Sequence, residues 1–139
     1  MKTGCFKQVN DGQTNGYISI SLYPSKNDFV NYEYKSLAPN WKLFENLNQK
    51  KITEDQFIKL YKEQLFLLNA NTVYEDLKSL VTGFEPIIMT NVSKKKFCHR
   101  HIVAEWLENE LGIVIDEYKV GMVIRSNGYM KKNTNPTLF

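Results

Sequence analysis

The residues with the most chemical potential form one run, Cys98-His99-Arg100-His101, directly after the basic stretch Lys94-Lys95-Lys96. Ile102, Val103, Trp106, Leu107 and Leu111 follow at helical spacing, with Glu105, Glu108 and Glu110 turned outward, which predicts a helix over 98–111. A helix start carries unpaired N–H groups and about half a positive charge. Cationic side chains cost energy there unless an anion lies among them. His99, Arg100 and Lys96 are therefore expected to hold a phosphate-bearing small molecule, a nucleotide or a nucleic-acid backbone. The alternative is a solvated basic loop in which Arg100 pairs with a carboxylate such as Asp116 or Glu117.

A thiol at a helix N-terminus beside cationic groups has a depressed pKa and is a better nucleophile. His101 lies three residues beyond Cys98 and shares its face if the helix has begun, so Cys98 and His101 form the candidate catalytic pair and His99 faces a ligand. Such a pair supports acyl, phosphoryl or glycosyl transfer. The competing reading is a small buried cysteine packing the helix end against a sheet, because no third, orienting group can be assigned. Cys98 and His101 also have helical ligand spacing, but neither a Cys-x-x-Cys pair nor a third spaced ligand accompanies them. No metal and no cofactor is expected.

A second cluster is aromatic. Tyr23, Tyr34, Lys35, Leu37 and Trp41 fall in an irregular stretch over 23–41. Tyr23, Tyr34 and Lys35 end in polar tips and are expected to line the ligand site, where the tyrosines stack a base; Leu37 and Trp41 are expected to lid the core.

Elements must bring these clusters together. Strands are expected over 2–8 and 17–22, and the apolar runs 86–89 and 113–115 read as buried strands. Asn40 is placed to cap a helix over 41–48. Thr53-Glu54-Asp55-Gln56 and Thr72-Val73-Tyr74-Glu75 have the capping-box pattern and open two more helices. The first should present Phe57, Leu60, Tyr61, Gln64 and Leu68 along one side, and the second Val73, Leu77 and Leu80. Gly83 and Gly112 are the expected stops. Strand, helix and strand around residue 98 make a βαβ unit.

The length of 139 residues fits one domain, and 42% hydrophobic residues are enough for a core. A net charge of +3 implies nucleic acid only if the positive charge clusters. The two cysteines, Cys5 and Cys98, are read as reduced, and the start has no apolar signal region. No apolar run is long enough to span a bilayer, so the expectation is a soluble, cytoplasmic protein with no membrane partner. Residues 1–120 are expected to form the domain. Residues 121–139 read as a polar tail, loosely ordered or docking a protein partner; a homo-oligomer is left open.

Three segments carry a resemblance: Ile18-Ser19-Ile20-Ser21-Leu22-Tyr23-Pro24, Tyr34-Lys35-Ser36-Leu37-Ala38-Pro39-Asn40-Trp41, and Phe97-Cys98-His99-Arg100-His101-Ile102-Val103-Ala104-Glu105-Trp106-Leu107. In this order they resemble the family called domain of unknown function 488, found in bacteria and their phages, over roughly residues 3–118. The resemblance implies a single-domain α/β fold, a mostly parallel sheet with flanking helices in Rossmann-like layers, and no established activity. Family members commonly carry Cys and Glu just after the strand before the Cys-His-Arg motif; Thr90 and Val92 stand there in this chain. Two functions are then expected to compete. One is anion or nucleotide binding at the helix start with cysteine chemistry. The other is a non-enzymatic interaction module, a phage or bacterial accessory factor.

Overall fold

The computed structural model describes residues 1–9, 12–92 and 95–133. Strands β1 (Lys2–Cys5), β2 (Tyr17–Ser19), β3 (Tyr32–Glu33), β4 (Ile87–Thr90) and β5 (Asp116–Glu117) form one sheet in the order β3-β2-β4-β1-β5, and every pairing is parallel. With helices α1 (Trp41–Asn48), α2 (Glu54–Phe66), α3 (Ala70–Leu80) and α4 (His99–Leu111), this is a single α/β domain of Rossmann-like layering. β4 is central and buried throughout, as its run Ile87-Ile88-Met89-Thr90 requires. In register, Cys5 sits beside Thr90, and Ser19 beside Met89. The carboxyl ends of β1, β2 and β4 therefore reach one edge together, and the loops after them gather there.

The larger core joins Ile18, Ile20 and Ile88 from the sheet side to Leu43, Phe57, Tyr61, Leu65, Val73, Leu77, Val103 and Leu107 from the helices. Tyr17, Ile87 and Met89 point to the opposite face, where Val9, Val30 and Tyr118 close a smaller cluster. The caps explain where helices begin. The Asn40 side chain accepts from Lys42 N–H, and Thr53 and Gln56 bond reciprocally. Gly112 ends α4 in the left-handed region at φ 67.

Several boundaries differ from expectation. α3 begins at Ala70 because Asn69 supplies the cap to Thr72 N–H, two residues before the Thr72 pattern. The buried stripe of α2 is Phe57, Tyr61 and Leu65, a spacing of four that leaves Leu60 exposed. Strand β1 stops at Cys5 and a short 3-10 turn occupies Phe6–Gln8. The last sheet strand forms at Asp116–Glu117 and not over 113–115, where Val114 faces solvent. Trp41 is exposed: as the first residue of α1 it leaves Leu43 to fill the core, while Leu37 is fully buried as expected.

The segment from 121, read as a loose polar tail, folds over Val123–Ser126 (β6) and Tyr129–Lys132 (β7) into an antiparallel hairpin turned by Asn127-Gly128. Both turn residues have positive φ, 54 and 82, the geometry that a two-residue hairpin needs. The remainder of that expected tail, 134–139, and residues 93–94 of the expected basic loop, Lys94 among them, lie outside the described residues. No helix among the described residues is long and apolar enough to cross a membrane.

Candidate functional site

Cys98 is the N-cap of α4, with extended backbone at φ −153 and ψ 138. Its N–H donates to the Gly128 carbonyl at 2.8 Å. Its sulfur lies 3.1 Å from the Thr90 hydroxyl. Burial pushes the Cys98 thiol up, yet the His99 ring, the Arg100 charge and the Thr90 hydroxyl together bring it down to about 7 from an ordinary 9.0.

His101 is taken up by Arg125, and His99 is the histidine whose charge acts on the sulfur. Helical i,i+3 spacing does not apply from a residue that is itself the cap, because its backbone has not yet turned. His99 Nε2 lies 2.8 Å from the Ile20 carbonyl, which can only accept, so Nε2 carries the hydrogen and Nδ1 is left for the thiol. The Ile20 carbonyl thus orients the His99 ring, and no sequence pattern could supply it. The Tyr61 ring stands edge-on to His99 at 5.7 Å and fixes its plane. Tyr61 donates to the Leu37 carbonyl, and burial followed by the charge on Cys98 pushes its phenol well above its ordinary value.

Arg100 and His101 turn the other way. The Arg100 guanidinium is 0% exposed. It donates to Glu117 Oε2 at 2.9 Å, to the Thr90 hydroxyl at 2.9 Å and to the Val92 carbonyl at 2.6 Å. A guanidinium engaged in this way is the structural arginine of the alternative reading, paired with Glu117, and not an open cradle for an anion. His101 accepts at Nδ1 from Arg125 Nε at 3.2 Å, and its Nε2 is buried without a partner among the described residues. Burial, then the charges of Arg100 and Arg125, then His99, push the His101 ring down to about 2, so it is neutral. Arg125 completes the network by donating to Thr3 Oγ1 and the Ile115 carbonyl, with Glu117 3.9 Å away. Sequence reasoning missed Arg125, Glu117's second partner and Thr3. The signal lay in Asn127-Gly128, a hairpin dipeptide whose flanks must be strands.

A cavity of about 390 Å³ opens over this turn, lined among others by Phe6, Tyr23, Lys26, Phe44, Thr90 and His99. Thr90, which is bonded to the Cys98 sulfur, and His99, the next residue after Cys98, form part of its wall; Cys98 itself is 2% exposed behind them. Tyr23 lines the same cavity as His99, edge-on to Phe44 at 6.0 Å with its hydroxyl 3.2 Å from Glu45. Lys35 supports the cavity from outside: its ammonium donates to the Ser21 and Leu22 carbonyls at 3.2 and 2.9 Å. Tyr34 is elsewhere, donating to Asp76 on α3 at 2.7 Å, and burial with this carboxylate raises its phenol to about 12. Lys96 lies in a different groove of about 520 Å³, with Lys50, Lys95, Phe97 and Tyr129; Val92 lines both this groove and the cavity. No group of three or more metal-ligating side chains occurs among the described residues.

No match was found among curated proteins or among solved structures. The profile described as the active DUF488-N3 subclade matches residues 18–111, well over half of the chain, and spans β2 through α4 with the Cys98–His99 turn near its end. The chain therefore belongs to the domain of unknown function 488 family, within that subclade.

Proposed function

We propose that this chain is a cysteine-dependent group-transfer enzyme for a small phosphate-bearing substrate, a nucleotide or the end of a nucleic acid, bound in the cavity beside His99. The observation that carries the reading is the His99 ring, oriented by the Ile20 carbonyl at 2.8 Å, next to a Cys98 thiol that its charge helps lower to about 7. In the first step His99 Nδ1 takes the thiol proton and the thiolate attacks the electrophilic carbon or phosphorus of the substrate. The new bond is to sulfur, and the leaving group departs with the proton from His99. Water or a second acceptor then breaks the sulfur bond and restores the thiol. The positive end of α4 and the Arg100 charge favour the thiolate throughout.

Tyr23 and Phe44 offer ring surfaces to a base, and Lys26 offers a charge to a phosphate. The description of the matched subclade as active supports chemistry in place of binding alone. Incubating the Cys98→Ser and wild-type chains with nucleotides and short oligonucleotides tests the reading. Wild type should gain thermal stability with at least one of them and accumulate a sulfur-linked adduct, detected by intact mass, that Cys98→Ser lacks. Stabilisation by none of these, with no adduct, overturns it.

One observation favours the non-enzymatic alternative. Phe66 and Leu67 at the end of α2 are 82% and 86% exposed, the kind of apolar surface that docks a protein. Retention of a specific partner by wild type but not by Phe66→Asp, in a chain whose Cys98 is unreactive, would favour that reading.

A further inference from the structure

The hairpin at 123–132 lies wholly beyond the residues that match the family profile, 18–111. Yet it touches the Cys98 turn at two points. At its tip the Gly128 carbonyl accepts the Cys98 N–H at 2.8 Å, so the backbone of the cap residue hangs from the hairpin. Gly128 cannot be replaced freely. Its φ is +82, and a Cβ there would stand 2.3 Å from the Phe97 ring, the residue just before Cys98. Phe97 is held in turn by edge contacts to Phe57 and Tyr129 at 5.5 and 5.7 Å. Such a fit sets where Phe97 and Cys98 enter the helix.

The second point is Arg125. Glu117 is shared: Arg100 holds one carboxylate oxygen at 2.9 Å, and Arg125 lies 3.9 Å from the other. Arg125 also fixes His101 on α4 and Thr3 on β1. Removing the Arg125 charge would leave Glu117 with Arg100 as its one cationic partner among the described residues. Arg100 would then be drawn more fully to the carboxylate and away from the Thr90 hydroxyl, which it shares with the Cys98 sulfur. The groups facing that sulfur are His99 and Arg100 on α4, Thr90 on β4 and Tyr61 on α2, with Glu117 on β5 acting through Arg100.

We propose that the β6–β7 hairpin is a positioning element for the Cys98 nucleophile, with Gly128 seating its backbone and Arg125 governing how much of the Arg100 charge reaches its sulfur. The inference rests on the cysteine reading above and adds a regulator of that site from outside the family-matched segment. Gly128 and Arg125 are positioning residues, since each acts through Phe97, Cys98 or Arg100.

The test is the pH midpoint of Cys98 alkylation by iodoacetamide, followed on the Cys98 peptide by mass spectrometry so that Cys5 does not interfere. It is measured on full-length wild type, Arg125→Met, Gly128→Ala and the surface control Ile124→Ser, with circular dichroism on each. Arg125→Met and Gly128→Ala should keep the wild-type spectrum and shift the midpoint upward by about one unit, slowing alkylation at neutral pH about fivefold, while Ile124→Ser moves neither. An unchanged midpoint in folded Arg125→Met and Gly128→Ala overturns the proposal. If Arg125→Met fails to fold, Arg125→Gln decides in the same assay: it removes the charge while keeping a polar side chain, and an unshifted midpoint there is equally contrary. A wild-type midpoint near 9 would instead overturn the parent reading, a result separate from any difference between the variants.

Discussion

Two halves of one helical turn behave differently. His99, bonded to the Ile20 carbonyl, sits at the wall of a cavity, and Cys98, bonded to Thr90, lies buried directly behind that wall. Arg100 and His101, the next two residues, are sealed behind them with Glu117, Arg125 and Thr3. Four adjacent polar residues thus divide into a pair at or just behind the cavity wall and a pair that holds the turn. The division follows from the cap. Cys98 is extended, so its side chain and that of His99 project to the sheet edge, while the residues after it follow the helix into the core. Residue type alone does not separate a reactive cation from a structural one. For Arg100, the Glu117 carboxylate at 2.9 Å does.

The structural half breaks most severely when its carboxylate is lost. Glu117→Ala leaves Arg100 and Arg125 buried beside one another without their shared anion and should destabilise the fold by about 3–5 kcal/mol, read by urea unfolding. A loss below about 1 kcal/mol would mean that Arg100 is free to serve a ligand after all.

The pH dependence of stability separates the halves next. The Cys98 thiol has a folded value near 7 against an ordinary 9.0, so its ionised form is favoured by folding. Its contribution, about 2–3 kcal/mol, is fully present above pH 9 and is lost as pH falls through 7. Cys98→Ser should abolish that slope. His101 acts at lower pH: it is held neutral in the fold down to about 2, whereas the unfolded chain takes up a proton below 6.5. Stability should therefore fall further on acidification from 6.5, and His101→Gln should flatten that limb but leave the Cys98 limb intact.

The reactive half responds to smaller changes. His99→Gln keeps a donor for the Ile20 carbonyl but removes the base, and should slow Cys98 alkylation at neutral pH about tenfold, with the unfolding midpoint changed little. Thr90→Val removes the least, one hydroxyl shared between Cys98 and Arg100, and should slow alkylation by less than about threefold.

Much of this was legible in the chain. Periodicity and caps located α1, α2 and α4, and β4 followed from its apolar run, because each of those signals is local. The Cys98 turn was visible as a helix start, and Glu117 as a candidate partner for Arg100. The Ile20 carbonyl was not visible, since a backbone acceptor 79 residues away has no residue signature. Nor was Arg125 in the core: the polar run Lys131-Lys132-Asn133-Thr134-Asn135 marks the segment as a tail and hid a strand whose one inward residue is charged. Lys96 illustrates the same limit from the other side. It is near Cys98 in sequence but faces the neighbouring groove, because Phe97 turns the chain between them.

The division of the turn is tested most directly by the pH profile of Cys98 alkylation in the unmodified protein. A reactive pair predicts a midpoint near 7 that His99→Gln moves upward. A midpoint near 9, unaltered by His99→Gln, would make Cys98 a packing residue like its neighbours and contradict the account.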